Sequence, residues 1–141
     1  MKNEDSYVDF EKLGALVIDD SDFVRDIVTR ILKGFGIHNI YGAEDGVSGL
    51  MKLEEKKNNI DFILCDLSMD QMNGFEFVKS LRAMKDSKLK SLPVIILTVH
   101  GEGHYVDEAV RYGIDGYVVK PVSPNVLKMR IEMALENQKS Q

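Results

Sequence analysis

Short, uninterrupted apolar runs separated by amphipathic stretches constrain this chain more than any other feature. Ala15-Leu16-Val17-Ile18, Phe62-Ile63-Leu64-Cys65 and Val94-Ile95-Ile96-Leu97 are continuously apolar. Runs of that length fit strands covered on both faces. Asn39-Ile40-Tyr41 is a weaker run, and Gly116-Tyr117-Val118-Val119 closes the set. The intervening segments carry apolar residues at helical spacing. Phe23, Ile27, Val28, Ile31, Leu32 and Phe35 follow a capping Ser21, with Gly34 and Gly36 as stop signals. Asp45 can cap a second helix through Val47, Leu50, Met51 and Leu53. Phe75, Phe77, Val78 and Leu81 mark a third, and Gly103 to Tyr112 a fourth that stops at Gly113. Ser123 and Pro124 open a last helix with Leu127, Ile131, Ala134 and Leu135 on its apolar face. Strict alternation of five strands with five helices predicts an α/β fold: a doubly wound, five-stranded parallel sheet with helices on both faces.

One domain accounts for 141 residues. Residues 1–13 read as a loosely packed N-terminal lead-in, 14–137 as the folded domain and 138–141 as a polar tail. The single Cys65 permits no internal disulfide and no multi-cysteine metal site, which fits a reducing compartment. Acids outnumber bases, 23 to 18, for a formal charge of −5. That balance disfavours a general nucleic-acid or anionic-membrane binder. Neither a signal peptide nor an apolar run near membrane-spanning length is present, so a cytoplasmic chain is expected.

The polar residues that matter stand where the apolar runs stop. Asp19 and Asp20 follow the first strand, Asp66 the third, Thr98 the fourth and Lys120 the fifth. In a parallel sheet those ends share one edge, where open α/β sheets bind ligands. Three clustered carboxylates repel one another, and a hard divalent cation such as Mg²⁺ relieves the repulsion. An aspartate can also take up a phosphoryl group covalently, and a lysine and a hydroxyl beside it can neutralise the phosphate oxygens.

Taken singly, each residue has an ordinary structural role. Asp19 or Asp20 could cap the first helix, although Ser21 and Asp22 offer that service too. Asp66 alone is a strand-end acid, Thr98 a turn residue, Lys120 a solvated base and Tyr117 a core aromatic. Cys65 reads as strand packing. His38, His100 and His104 lack the spacing of a zinc site. It is the joint placement of the acids, hydroxyl and amine on one edge that favours a site.

The order Asp19-Asp20, Asp66, Thr98, Lys120-Pro121 resembles the response regulator receiver domain. Asp20 to Asp66 spans 46 residues, Asp66 to Thr98 32 and Thr98 to Lys120 22, again as in that family. The turn Met72-Asn73-Gly74 and the stretch Gly116 to Pro121 are similar to it as well. The resemblance covers about residues 13–137 and implies a flavodoxin-like three-layer fold. It implies that Asp66 is the phosphoacceptor, served by a histidine kinase or a histidine phosphotransfer protein. It implies Mg²⁺ bound by Asp19, Asp20, Asp66 and the backbone carbonyl of Ser68. Thr98 and Lys120 would contact the phosphoryl oxygens, Tyr117 would be the switch aromatic, and the Lys120–Pro121 bond would be cis. Such a chain is a phosphoacceptor and not a turnover enzyme. With no output domain in this span it is expected to act on a phosphorylation-dependent protein target, as in chemotaxis regulators. The alternatives are a phosphorelay intermediate or a receiver excised from a larger regulator.

Some positions depart from the common pattern. Val99 stands where a smaller residue is usual and is expected to narrow access to the phosphoryl pocket. Ser68 and His100 flank the path of water to an aspartyl-phosphate and are expected to tune its lifetime. Asp70 replaces a common proline and adds negative charge near the metal. A haloacid-dehalogenase-type phosphatase would need a second aspartate two residues after its nucleophile, where Ser68 or Ser21 stands. A flavin-binding relative of the fold is disfavoured because Asp19, Asp20 and Asp22 would repel the cofactor's phosphate.

Overall fold

The computed structural model describes residues 8–69, 72–99 and 111–139. Five strands, β1 (Gly14–Ile18), β2 (Asn39–Ala43), β3 (Phe62–Asp66), β4 (Val94–Thr98) and β5 (Gly116–Val119), form one sheet in the order β2-β1-β3-β4-β5. All four pairings are parallel. The direction of winding reverses between β1 and β3, and the crevice at that switch point is where such sheets place ligands.

The register sorts the apolar runs by parity. Ala15, Val17, Phe62, Leu64, Ile95, Leu97 and Val118 face a layer containing Val28, Leu32, Leu127, Ile131 and Ala134. These come from α1 (Asp22–Gly34) and the C-terminal helix, here α5 (Pro124–Lys139). Leu16, Ile18, Ile63, Cys65, Val94 and Ile96 face the opposite layer with Leu53, Phe77, Val78 and Leu81. Those come from α2 (Gly46–Glu55) and α3 (Gly74–Arg82). Continuous apolar sequence is therefore the consequence of two cores, one on each side of a period-two strand.

Capping sets the helix starts. Ser21 Oγ accepts from the Val24 amide at 3.2 Å, so the cap of α1 belongs to Ser21 and leaves both preceding aspartates out of that role. Asp45 and Ser48 form a reciprocal capping box on α2, as Asn73 and Glu76 do on α3. Gly36, after α1, adopts a φ of 102°, a conformation that favours glycine.

The structure departs from the sequence expectations at several places. Two residues of the lead-in are packed: Val8 and Phe10 are buried in the core layer of α1 and α5, and the Phe10 ring lies 5.7 Å from that of Phe35, while Glu11 and Lys12 are exposed. β2 continues two residues past Tyr41, and the polar C-terminal residues stay helical through Lys139. A further one-turn helix, α4 (Ser87–Lys90), is capped by Asp86 through the amides of Lys88 and Leu89. Only Leu89 in it is apolar and buried, too little for a periodic signal. The helix expected at Gly103 to Tyr112 falls almost wholly outside the described residues, as do Asp70 and His100.

Candidate functional site

Asp19 is the residue after β1 and is fixed from several sides. Its amide donates to the Ala43 carbonyl at 3.1 Å, which extends the β1–β2 ladder past Ile18. Oδ1 accepts from the Ser21 amide at 2.9 Å and Oδ2 from Lys120 Nζ at 3.2 Å. The Arg25 guanidinium, reaching back from α1, donates to the Asp19 carbonyl at 2.6 Å. The residue is 1% exposed, while its neighbour Asp20 is exposed at the mouth of the crevice.

Asp66 ends β3 and is buried. Lys120 Nζ donates to its Oδ1 at 3.0 Å. The position of Lys120 follows from the last ladder: Thr98 pairs with Val119, and the Lys120 amide donates to the Thr98 carbonyl at 2.7 Å. The Lys120–Pro121 peptide is cis. On the other side of Asp66 the chain turns into α3. The Gly74 amide donates to the Leu67 carbonyl at 2.8 Å, and a Cβ on Gly74 would lie 2.8 Å from the Asp66 carbonyl oxygen. Only a residue without a side chain lets α3 begin so close beneath the strand end.

One ammonium therefore serves two buried carboxylates. Burial pushes the Asp66 carboxyl above the usual aspartate range; the hydrogen bond from Lys120 opposes this, and the charge of Asp19 adds to it. The Ser68 backbone amide also hydrogen-bonds to Asp66 and favours its charged form. Burial works against the Lys120 charge too, but the hydrogen bond and charge of Asp66, with those of Asp19, outweigh it and hold the ammonium above its ordinary pKa. Among the described residues Lys120 is the one cation bonded to these carboxylates, against Asp19, Asp66 and the nearby Asp20.

Carboxylate oxygens of Asp19, Asp20 and Asp66 all lie within 4.8 Å of one another. Three hard oxygen donors, two buried and one at the mouth, fit Mg²⁺, which prefers carboxylates and keeps waters besides. Neither thiolate nor imidazole belongs to the group. Cys65 is buried on the α2–α3 side, where burial first and the neighbouring aspartates second push its thiol well up, so it is no nucleophile here.

The remaining expected site residues divide. Thr98 is buried at the end of β4. Tyr117 pairs with Ile96, two residues before Thr98, so Tyr117 and Thr98 share the α2–α3 face of the sheet. Ser68 is exposed just past Asp66, and Val99 is 65% exposed just past Thr98. Arg25 was not foreseen, because nothing in its spacing separates it from other polar positions on α1. A cavity of about 360 Å³ lined by Val8, Leu13, Leu92, Pro93 and Leu135 lies at the opposite, N-terminal edge of the sheet and shares no residue with the acid cluster.

With this geometry established, comparison with known proteins is decisive. The sequence model of the response regulator receiver domain matches residues 15–132. The chain belongs to that family. Receiver domains named as chemotaxis proteins are among its relatives. Chemotaxis protein CheY-3 of Vibrio cholerae is 36% identical over 121 residues, covering 86% of this chain and 90% of the relative. Chemotaxis protein CheY1 of Helicobacter pylori is 36% identical over 120 residues, covering 85% and 94%. The solved structure of the chemotaxis response regulator CheY4 of Vibrio cholerae superposes with a TM-score of 0.78 at 32% identity, covering 87% of this receiver chain and 98% of that one. A receiver domain protein from Clostridium thermocellum gives 0.79 at 27% identity, covering 90% and 97%. No helix among the described residues is long and apolar enough to cross a membrane.

Proposed function

We propose that this receiver is a phosphorylation switch whose acceptor is Asp66. The observation that carries the reading is Lys120 Nζ bridging Asp66 and Asp19 at 3.0 and 3.2 Å, with Asp20 completing the acid cluster. An Asp66 carboxylate oxygen attacks the phosphorus of a phosphohistidine. The new P–O bond forms as the P–N bond breaks, and the bonding pair leaves on the imidazole. Asp19, Asp20, Asp66 and the Ser68 carbonyl would hold Mg²⁺, which supplies charge neutralisation for the transferring group.

The chain's own groups do the rest. Lys120 gives up its bond to Asp66 for a phosphoryl oxygen, and the Thr98 hydroxyl moves to another. Tyr117, on the same face of the sheet as Thr98, follows it inward, so phosphorylation biases two arrangements of β4 and β5. The side chains of Val119, Val126, Met129 and Met133 are exposed on β5 and α5 and offer that change an apolar surface to act on. The upstream donor is a histidine kinase or a histidine phosphotransfer protein, and the downstream target a protein that distinguishes the two arrangements. Similarity to chemotaxis proteins supports a cytoplasmic regulator of that type. The chain forms and loses its own acyl phosphate and turns over no other substrate. Ser68 and His100 set how fast water removes the group.

Intact-mass spectrometry after incubation with acetyl phosphate tests the reading. Gain of one phosphoryl group with Mg²⁺, absent without it and absent in Asp66→Asn, is expected. Labelling of Asp66→Asn to the same extent would overturn it.

A further inference from the structure

The Asp19–Asp20 peptide is gripped by a residue that the phosphoryl chemistry itself does not use. We propose that Arg25 is a positioning residue: by holding the Asp19 carbonyl it sets the plane of the Asp19–Asp20 peptide, and through it the direction in which Asp20 presents its carboxylate to a cation. The proposal deepens the phosphoacceptor reading and rests on it for the identity of the cation.

Everything else on Asp19 is already fixed. Its amide is tied to Ala43 of β2, and its carboxylate to the Ser21 amide and Lys120. The carbonyl is the remaining polar group, and Arg25 takes it at 2.6 Å. The same guanidinium pairs with Asp22 on the preceding turn of α1. The guanidinium's charge opposes a cation at this site, so any gain in cation binding from Arg25 comes from orientation. Asp20 has no such scaffold of its own: it is exposed and lies between the gripped carbonyl and the cap of α1.

Strand β2 makes room for this arm. Gly42 lies beneath it, and a Cβ there would sit 3.4 Å from Arg25 Cδ and 3.5 Å from Nε. A larger side chain at position 42 would lift the arginine away from the carbonyl. Gly42 is exposed on an edge strand, so the fold itself has no need of a small residue there.

Two measurements on the unphosphorylated protein test the clamp. In Arg25→Gln, calorimetric Mg²⁺ affinity is expected to fall about tenfold, the usual effect of losing a group that orients a metal ligand. Arg25→Lys, whose long side chain can still bring an ammonium donor to the carbonyl where the shorter Gln amide cannot, recovers part of the loss. In the metal-free amide NMR spectrum, the Asp20 and Ser21 signals shift, while those of Cys65 to Leu67 at the end of β3 stay in place. Gly42→Leu reproduces both effects with the arginine's charge intact, and serves if Arg25→Gln fails to fold. Unchanged or tighter Mg²⁺ binding in Arg25→Gln would mean that charge and not orientation governs, and would overturn the proposal. Unmoved Asp20 and Ser21 signals would overturn it as well. Absence of Mg²⁺ binding by the parent chain would instead count against the phosphoacceptor reading, while the metal-free spectra still judge the clamp.

Discussion

Lys120 Nζ lies 3.0 Å from Asp66 Oδ1, and the same ammonium reaches Asp19 Oδ2 at 3.2 Å. A single cation thus holds together two strand ends from opposite sides of the topological switch. It is placed there by the β4–β5 ladder, so sheet register and site electrostatics are one construction.

Removing that cation leaves buried carboxylates facing each other. Lys120→Met should lower stability by about 3–5 kcal/mol in metal-free buffer, the range for removing one partner of a buried ion pair. Added Mg²⁺ should restore part of it by binding the folded state. Urea unfolding with and without Mg²⁺ measures both, and a stability equal to wild type would contradict the account.

Asp66 carries a pH signature. Its folded pKa is raised, mainly by burial, so its contribution to stability is fully present below the unfolded value and is lost as pH rises through the folded one. Asp45 and Asp86 have lowered values from amide and side-chain hydrogen bonds, and their contributions run the other way, disappearing in acid. The difference between wild type and Asp66→Asn isolates the first effect. In metal-free buffer, Asp66→Asn should be the more stable protein at neutral pH, with the gap closing as pH falls through the raised pKa. A gap independent of pH would show that Asp66 bears no such penalty.

Gly74→Ala probes the start of α3. Its Cβ would meet the Asp66 carbonyl oxygen at 2.8 Å and Leu67 Cα at 3.0 Å, both backbone atoms that can yield only by moving the acceptor strand's end. A loss of about 1–3 kcal/mol is expected, as for overpacking elsewhere, together with slower labelling by acetyl phosphate. Thermal unfolding and labelling rate read the two effects.

Val99 is exposed beside the buried Thr98. Val99→Ala should open the approach to the phosphoryl pocket and speed labelling by small donors without altering stability beyond about 0.5 kcal/mol, as for surface changes generally. An unchanged rate would remove the gating role.

The strand-end residues were legible because parallel topology sends every C-terminal strand end to one edge, so Asp19, Asp66, Thr98 and Lys120 could be assembled from apolar runs alone. The caps at Ser21 and Asp45 were legible for a similarly local reason. Arg25 was not, since its partner on Asp19 is a backbone carbonyl, which leaves no side-chain pattern. Val8 and Phe10 sat in a charged segment, and their burial depends on α1 and α5 folding against them. The turn Ser87–Lys90 is too short and too polar for periodicity to register.

The most direct test of the central claim traps the product on its residue. After phosphorylation with Mg²⁺, borohydride reduction converts an aspartyl-phosphate to homoserine, and peptide mass mapping then locates it. The account predicts homoserine at position 66 and at no other aspartate. Homoserine at Asp19 or Asp20, or modification surviving in Asp66→Asn, would contradict it.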